Sequence, residues 1–510
     1  MREVAGGGEV SRRDSFADYA ASTHGGPPRI SEPPRRAPTL LDSGAMPCAP
    51  ALFFAVFVAT VAAQPAPDRY AYQDLPARTA FPVQDYKLEA LVLDGAQPQV
   101  RAHAWDLWAG LTAASDSIVD GQRLPVFETW YSIDEVHNPR GRAGVDRRTL
   151  RHPVAIPAQA ALASTSRGGA PAGLMSFVKL NRASADFIWD NGYYLTPVLR
   201  GLQDRFRREG TATVERSIRP FPPSAAALKL VFWLVKNAAS PQSERGLTAL
   251  PMWNPAYPPP AGGLPPMHTT WKQGIAVDPA GRYQEGSIEV VTVNGVPTPS
   301  PVVPLSRFYA HRLKSEDDVA DARVFMKMMS SAAGEQERLV TNTGQTPEIG
   351  DYLVLLAMHV TTKELDDWTF QTFWWTLDPA AAPFGDGRPA SVRAPFDNYS
   401  MCTAYSTVSP RGPDGALPIC FNPYLETDLG ATKPYTMDGK TYPADPMAGT
   451  RANCMNCHRR AGFPAFDPKA PSADFGHVYN DGYRAPDDPY FDPLLKTDFM
   501  WSIALKNVTP

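Results

Sequence analysis

Two cysteines and a histidine near the C-terminal end have the spacing needed to hold one covalent cofactor. They form the stretch Cys454-Met-Asn-Cys457-His458. On one turn of helix the two thiols share a face, so both can form thioether bonds along one edge of a porphyrin while His458 binds its iron. With 5 Cys and 9 His in 510 residues, such a stretch arises by chance in roughly one sequence in a thousand. The sequence therefore predicts one covalent c-type haem, with His458 as its proximal iron ligand.

Two other uses of these cysteines remain open. A structural zinc site normally needs four ligands in paired spacing. The sequence contains no second C-x-x-C and no H-x-x-x-H, which disfavours zinc. A plain disulfide or a redox-active dithiol is the other alternative.

The sixth ligand of the iron has three candidates in the sequence. Met500 and His477 both follow His458 in the C-terminal section, and His359 lies far upstream. A methionine ligand raises the reduction potential and suits electron transfer, whereas an open position lets a small molecule bind. An open site or another residue is the fourth alternative.

The N-terminal region predicts export. The apolar run over 51–63 is too short to span a bilayer and ends in small residues, which is typical of a signal-peptide core. Met46 stands just before it, so residues 46–63 are interpreted as the signal peptide and residues 1–45 as a disordered extension or a wrong gene start. After cleavage no transmembrane segment is expected, and the mature protein is predicted to be periplasmic or secreted.

The remaining cysteines agree with an oxidising compartment. Cys48 precedes the apolar run and would leave with the signal, which leaves Cys402 and Cys420 as an isolated pair. In such a compartment they are expected to form a disulfide, with two free thiols as the alternative.

Composition and patterning predict a globular α+β protein. The net charge of -4 offers no basic surface for nucleic acid, so nucleic acid is excluded as a partner. The 53 prolines disfavour a helical bundle. Apolar spacing predicts a helix over 175–202, a buried strand over 225–235, and paired central strands over 352–360 and 368–375. The Asn294-Gly295 dipeptide predicts a tight hairpin.

The segment from Gly449 to His458, followed by a proline-rich loop, resembles the opening of a cytochrome c haem domain. This resemblance covers only the C-terminal section of the chain and implies thioether bonds from Cys454 and Cys457. The rest of the chain resembles a family of exported bacterial proteins that supplies no activity. The expected organisation is therefore a large sheet-centred body over 64–380 and a small, mainly helical and loop-rich, cytochrome c-like haem subdomain within 381–510.

The expected function is one-electron transfer by an exported monohaem cytochrome, with a redox protein as its partner. A haem-dependent oxidoreductase whose large domain binds a small-molecule substrate is the alternative from another class. A binding module with a structural or sensory haem is the third. Whether the protein is an enzyme is left open by the sequence.

Overall fold

Long apolar runs rich in β-branched and aromatic residues form the strands at the centre of this protein. The structure is a computed structural model that describes residues 70–119, 121–145, 174–254, 271–331, 345–381, 383–405, 420, 422–424, 435–437, 440–442, 454–464, 485–505 and 508. The predicted signal peptide, the N-terminal extension and His477 lie outside the described residues.

The described residues contain eight α-helices and seventeen strands. The helices are α1 (Asp85–Leu93), α2 (Gln97–Leu111), α3 (Ile133–Val136), α4 (Arg182–Asp190), α5 (Thr196–Arg208), α6 (Glu316–Ser331), α7 (Cys454–Arg459) and α8 (Trp501–Leu505). The strands are β1 (Ala114–Val119), β2 (Gln122–Pro125), β3 (Tyr131–Ser132), β4 (Leu174–Leu180), β5 (Ala226–Val235), β6 (Thr248–Pro251), β7 (Gly274–Asp278), β8 (Ile288–Val293), β9 (Val296–Pro304), β10 (Ala310–Arg312), β11 (Tyr352–Thr362), β12 (Thr369–Trp375), β13 (Tyr399–Thr403), β14 (Tyr435–Met437), β15 (Lys440–Tyr442), β16 (Gly462–Phe463) and β17 (Leu495–Lys496). The protein is thus a mixed α+β fold with a sheet-rich body, as predicted.

A seven-stranded antiparallel sheet organises the body. Its order is β13-β12-β11-β5-β4-β3, and β10 pairs with the first residues of β11. The predicted buried strand is β5, and the two predicted central strands are β11 and β12, which pair directly. Every residue of β12 is buried, which explains why both of its faces carry aromatic side chains.

A second sheet has the order β6-β7-β9-β8, with β7 and β9 parallel and the other pairs antiparallel. The hairpin between β8 and β9 turns at Asn294 and Gly295, whose φ angles are 48° and 79°. These positive angles are those that Asn and Gly tolerate best, so the dipeptide specifies the turn, as predicted.

One predicted helix is wrong at its beginning. Residues 175–180 belong to strand β4, which pairs with β5 through seven positions, and the helical structure starts only at Arg182. Asn181 separates the two elements, because its side chain accepts a hydrogen bond from the Ser184 backbone N–H and so caps α4. Apolar spacing alone could not distinguish this short strand from a helix, because pairing with β5 decided the outcome.

Two hydrophobic clusters pack around the main sheet. The larger contains Trp105 and Trp108 of α2, and Trp108 stacks on Phe373 of β12 with 4.3 Å between ring centroids. The second cluster joins helices α4 and α5 to residues from the C-terminal part of the chain, including Met455, Phe463, Leu495, Met500 and Ile503. The described C-terminal residues therefore share a core with the sheet.

The expected disulfide is present. Cys402 of β13 is bonded to Cys420, with 5.7 Å between their Cα atoms. Close to Cys420, the side chain of Asn422 donates hydrogen bonds to the Thr372 hydroxyl and the Phe373 carbonyl of β12. The bond thus ties Cys420, 18 residues further along the chain, to the edge strand of the main sheet. Among the described residues, none of the helices combines the length and the apolar character needed to cross a bilayer.

Candidate functional site

The C-x-x-C-H stretch lies on a helix, as its spacing predicts. Helix α7 begins at Cys454 and ends at Arg459, directly after His458. Met455, inside the stretch, is buried in the second hydrophobic cluster, which anchors the helix to the body. The motif is therefore held in place by packing against the sheet.

His458 has one ring nitrogen fixed by a hydrogen bond. Its Nδ1 lies 2.9 Å from the backbone carbonyl oxygen of Phe499. A carbonyl can only accept, so Nδ1 must carry the proton and donate it. The proton on Nδ1 makes Nε2 the basic nitrogen of the neutral ring. Metal-bound histidines use this arrangement, in which a carbonyl sets the tautomer and the orientation of the imidazole.

A short antiparallel ribbon brings Phe499 to His458, although the two are far apart in the sequence. Strand β16, which follows α7, pairs with β17, which precedes Phe499. Beyond the ribbon, Thr497 donates its N–H to the Ala461 carbonyl at 3.0 Å. Asp498 and Phe499 then adopt φ angles of 47° and 66°. Asp498 tolerates a left-handed angle, but Phe499 does so only at a cost, so the surroundings must hold this turn.

Ion pairs connect this turn to the loop between β11 and β12. Lys363 lies 2.8 Å from one Asp498 oxygen, and the other oxygen accepts the Phe221 backbone N–H at 2.8 Å. Arg459, next to His458, pairs with Asp367 of the same loop. Burial raises the pKa of Asp367, and the charges of Arg459 and Lys363 oppose that rise. The loop therefore holds both the residue after His458 and the residue before Phe499.

The surroundings of His458 suit an anionic, largely apolar group. The ring of Phe370 lies 4.9 Å from that of His458, measured between centroids. Trp368 is 1% exposed, and its Nε1–H finds no acceptor within the described part of the chain. Arg460, two residues after His458, is also 1% exposed. A buried indole donor without an acceptor is a group that a haem propionate would satisfy. The residues present thus fit a haem.

Met500 and His359, the two candidate sixth ligands that the structure describes, lie in different places, and His477 is outside the described residues. Met500 is 6% exposed and packs in the second hydrophobic cluster. It directly follows Phe499, whose carbonyl binds the His458 Nδ1. His359 lies in β11 opposite Thr372, while Thr361 lies opposite Phe370. His359 and Phe370 are therefore diagonal neighbours on one face of the sheet, with Cα atoms about 7–8 Å apart.

Sequence reasoning missed Phe499, Asp498, Lys363 and Trp368. A backbone carbonyl acceptor leaves no signature in side-chain types, and Lys363 and Asp498 are too far apart in the sequence for a local pattern to reveal their ion pair. The pair of left-handed residues before Met500 contains no Gly or Asn that would indicate it. Within the residues that the structure describes, no three His, Cys, Asp or Glu side chains form a group able to hold a metal ion.

Comparisons of the chain with models of protein families, with curated proteins and with solved structures found no match.

Proposed function

We propose that this protein is an exported monohaem c-type cytochrome that transfers single electrons. Cys454 and Cys457 would hold the haem covalently, and His458 would be the proximal iron ligand. The observation that carries the proposal is the hydrogen bond from His458 Nδ1 to the Phe499 carbonyl, because it presents Nε2 as the basic nitrogen in a stretch with two correctly spaced cysteines. When bound, the haem supplies an iron that cycles between the Fe(II) and Fe(III) states.

The chain itself positions and shields the group. Helix α7 presents the motif, and the ribbon of β16 and β17 holds the acceptor of the proximal histidine. The buried indole N–H of Trp368 would donate a hydrogen bond to a propionate. In this proposal the C-terminal residues form a small haem segment that is built against the body rather than independent of it, because both contribute to one hydrophobic cluster.

The geometry favours His359 over Met500 as the sixth ligand. Phe499 lies at the Nδ1 edge of the His458 ring, which faces away from a metal at Nε2. Met500 follows Phe499 directly, so its backbone begins beside the Nδ1 edge of the ring, away from the Nε2 that would bind the iron. His359 does not share this constraint, because it lies on the same sheet face as Phe370, which contacts His458.

The test of covalent attachment is the Cys457→Ser variant, expressed with the cell's haem-attachment machinery. We expect loss of normal two-thioether attachment, seen as loss or weakening of covalent haem on denaturing gels and a shifted reduced absorption band. The matched control is Cys402→Ser, which removes a cysteine outside the motif and should retain full haem. Full covalent haem in Cys457→Ser would refute the proposal.

Absorption spectra with and without carbon monoxide separate electron transfer from small-molecule chemistry. A six-coordinate electron carrier should bind carbon monoxide slowly or weakly when reduced. Rapid binding would instead favour the haem-dependent oxidoreductase.

A further inference from the structure

A large cleft lies at the end of the main sheet where β10 pairs with the start of β11. Its volume is about 1480 Å³, and it is bordered by β10, the β1–β2 ribbon, the C-terminal end of α2 and residues 391–396. Pockets that bind small organic molecules commonly measure about 300–1,000 Å³. The cleft is therefore large enough to take a whole organic molecule together with water.

Positive charge dominates the lining. Five cationic side chains but only two acidic ones border the cleft, although the whole protein carries a net charge of -4. The cations are Arg78, Arg312, Lys314, Arg393 and Arg123, of which Arg123 is paired with Asp116 at 3.2 Å. A cleft lined by one sign of charge concentrates ligands of the opposite sign.

The two acidic residues are engaged by the backbone. The carboxylate of Asp278 accepts the N–H groups of Ala280 and Tyr283, at 3.0 and 2.8 Å. One oxygen of Asp318 accepts those of Lys314 and Ser315. Their negative charge is thus partly satisfied within the loops, and the lining remains electropositive.

A histidine held by a buried carboxylate forms part of the wall. His311 borders the cleft, and its Nε2 lies 2.8 Å from Oε1 of Glu128. The second oxygen of Glu128 lies 3.1 Å from Nζ of Lys179, and both of these side chains are almost fully buried. Burial by itself would raise the pKa of Glu128, but Lys179 and His311 hold it below its usual value. An ionised carboxylate therefore fixes the orientation of the imidazole, as carboxylates do for histidines in many metal sites.

Aromatic side chains supply an apolar surface beside these charges. Phe308, Tyr309, Tyr352 and Phe396 all border the cleft. Burial, reinforced by Glu128, raises the pKa of Tyr309 well above its usual value, so its hydroxyl stays protonated as a donor. Charged groups next to aromatic rings match a ligand with an anionic head and an apolar body.

We infer that this cleft binds a small organic anion with an aromatic or apolar body, held by its arginines and by His311. The site is separate from the haem motif. The two sites can be located along strand β11. His311 of the cleft pairs with Leu353, and Phe370, which contacts His458, pairs with Thr361. Eight positions of β11 separate Leu353 from Thr361, which corresponds to about 26 Å. The inference therefore does not depend on the proposed haem.

The test uses 4-fluorobenzoate as the probe and the full-length protein, with binding followed by fluorine NMR line broadening. The neutral 4-fluorobenzyl alcohol is the matched ligand control. We expect broadening of the anion's signal at millimolar concentration and little or none for the alcohol. Loss of two charged contacts in the double variant Arg78→Gln/Arg312→Gln should weaken anion binding about tenfold.

Two further variants complete the test. Arg200→Gln removes an exposed cation of helix α5 outside the lining and should bind like the unaltered protein. His311→Gln should also weaken binding, and urea unfolding would check that each variant is folded. Absent binding, equal binding of anion and alcohol, or unchanged binding in the double variant would overturn the inference. Unchanged binding in His311→Gln would show that His311 does not contribute to anion binding.

Discussion

At the scale of single residues, the hydrogen bond between His458 and Phe499 fixes which edge of the imidazole faces Phe499 and Met500, and so which side of the proposed iron they would occupy. The acceptor carbonyl places Phe499, and with it the backbone of Met500, at the ring edge remote from Nε2. His359 lies on a different element, strand β11, as a diagonal neighbour of Phe370. The choice between these two ligands is therefore open to a direct comparison of two variants.

We predict that His359→Ala opens a coordination position and speeds carbon monoxide binding by the reduced protein. Met500→Leu, which nearly conserves side-chain volume, should leave the spectrum and reduction potential unchanged and cost less than about 1.5 kcal/mol of stability. Stopped-flow carbon monoxide binding and a redox titration would measure these effects. The reverse result, with Met500→Leu opening the iron, would return Met500 to the position of sixth ligand.

The turn at Asp498 and Phe499 shows how one carboxylate holds an unfavourable backbone conformation. Asp498 bonds to Lys363 and to the Phe221 backbone N–H, and the side chains of Asp498 and Lys363 are only 10% and 6% exposed. Removing the charge leaves a nearly buried ammonium poorly compensated.

Asp498→Asn should therefore lower the free energy of unfolding by about 2 kcal/mol. Asn tolerates the left-handed φ angle, so the loss would report the ion pair and not the backbone. Asp116→Asn is the control, because Asp116 and Arg123 form an exposed pair 3.2 Å apart that should contribute less than about 1 kcal/mol. Urea denaturation measures both, and equal effects would contradict the prediction.

At the scale of elements, the residues before Asn181 form strand β4 because they pair with β5. The disulfide links Cys420 to β13 of the main sheet. Residues with strong alternation or a turn signature behaved as their sequences predict, as β11, β12 and the hairpin at Asn294 show. Short elements such as β16 and β17 contain two residues each, too few to give any periodic signal.

The disulfide should contribute measurably to stability. The double variant Cys402→Ala/Cys420→Ala is expected to lose about 3 kcal/mol, because closing this loop restricts the unfolded chain. The comparison is urea unfolding of the variant and of the unaltered protein, prepared in the same way. Equal stability of the two proteins would contradict the prediction and would mean that the unfolded state gains little from release of the loop.

At the scale of the whole molecule, the two proposed sites lie near opposite ends of strand β11. The proposed haem site depends on the C-terminal ribbon, and the proposed anion site depends on β10 and the buried pair of Glu128 with Lys179. Glu128 and the β4 residue Lys179 are buried together, so a change in the ionisation of Glu128 changes the free energy of unfolding.

Stability should fall in acid partly through Glu128. Its pKa in the folded protein is held below the ordinary value of 4.5, so its contribution is complete above about pH 4.5 and is lost as the pH falls further. In Glu128→Gln/Lys179→Met this part of the acid loss should disappear. Glu128→Gln alone should be less stable than the double variant, since it leaves Lys179 buried without its carboxylate. Urea titrations between about pH 3 and 7 test both statements, and an unchanged pH dependence in the double variant would contradict the first.

The sequence by itself determined the features that are carried by neighbouring residues. The Asn-Gly dipeptide specifies its hairpin, the C-x-x-C-H stretch forms the helix α7 that its spacing predicts, and the apolar runs of β5, β11 and β12 specify the central strands, since each signal lies within a short stretch of chain. The cofactor itself stays a prediction. Only the tertiary structure decided which carbonyl meets His458, which candidate ligand shares its side of the sheet, and that five dispersed cations border one cleft. These contacts join residues that are distant in the sequence, and their geometry depends on strand register and packing, which local residue types do not encode.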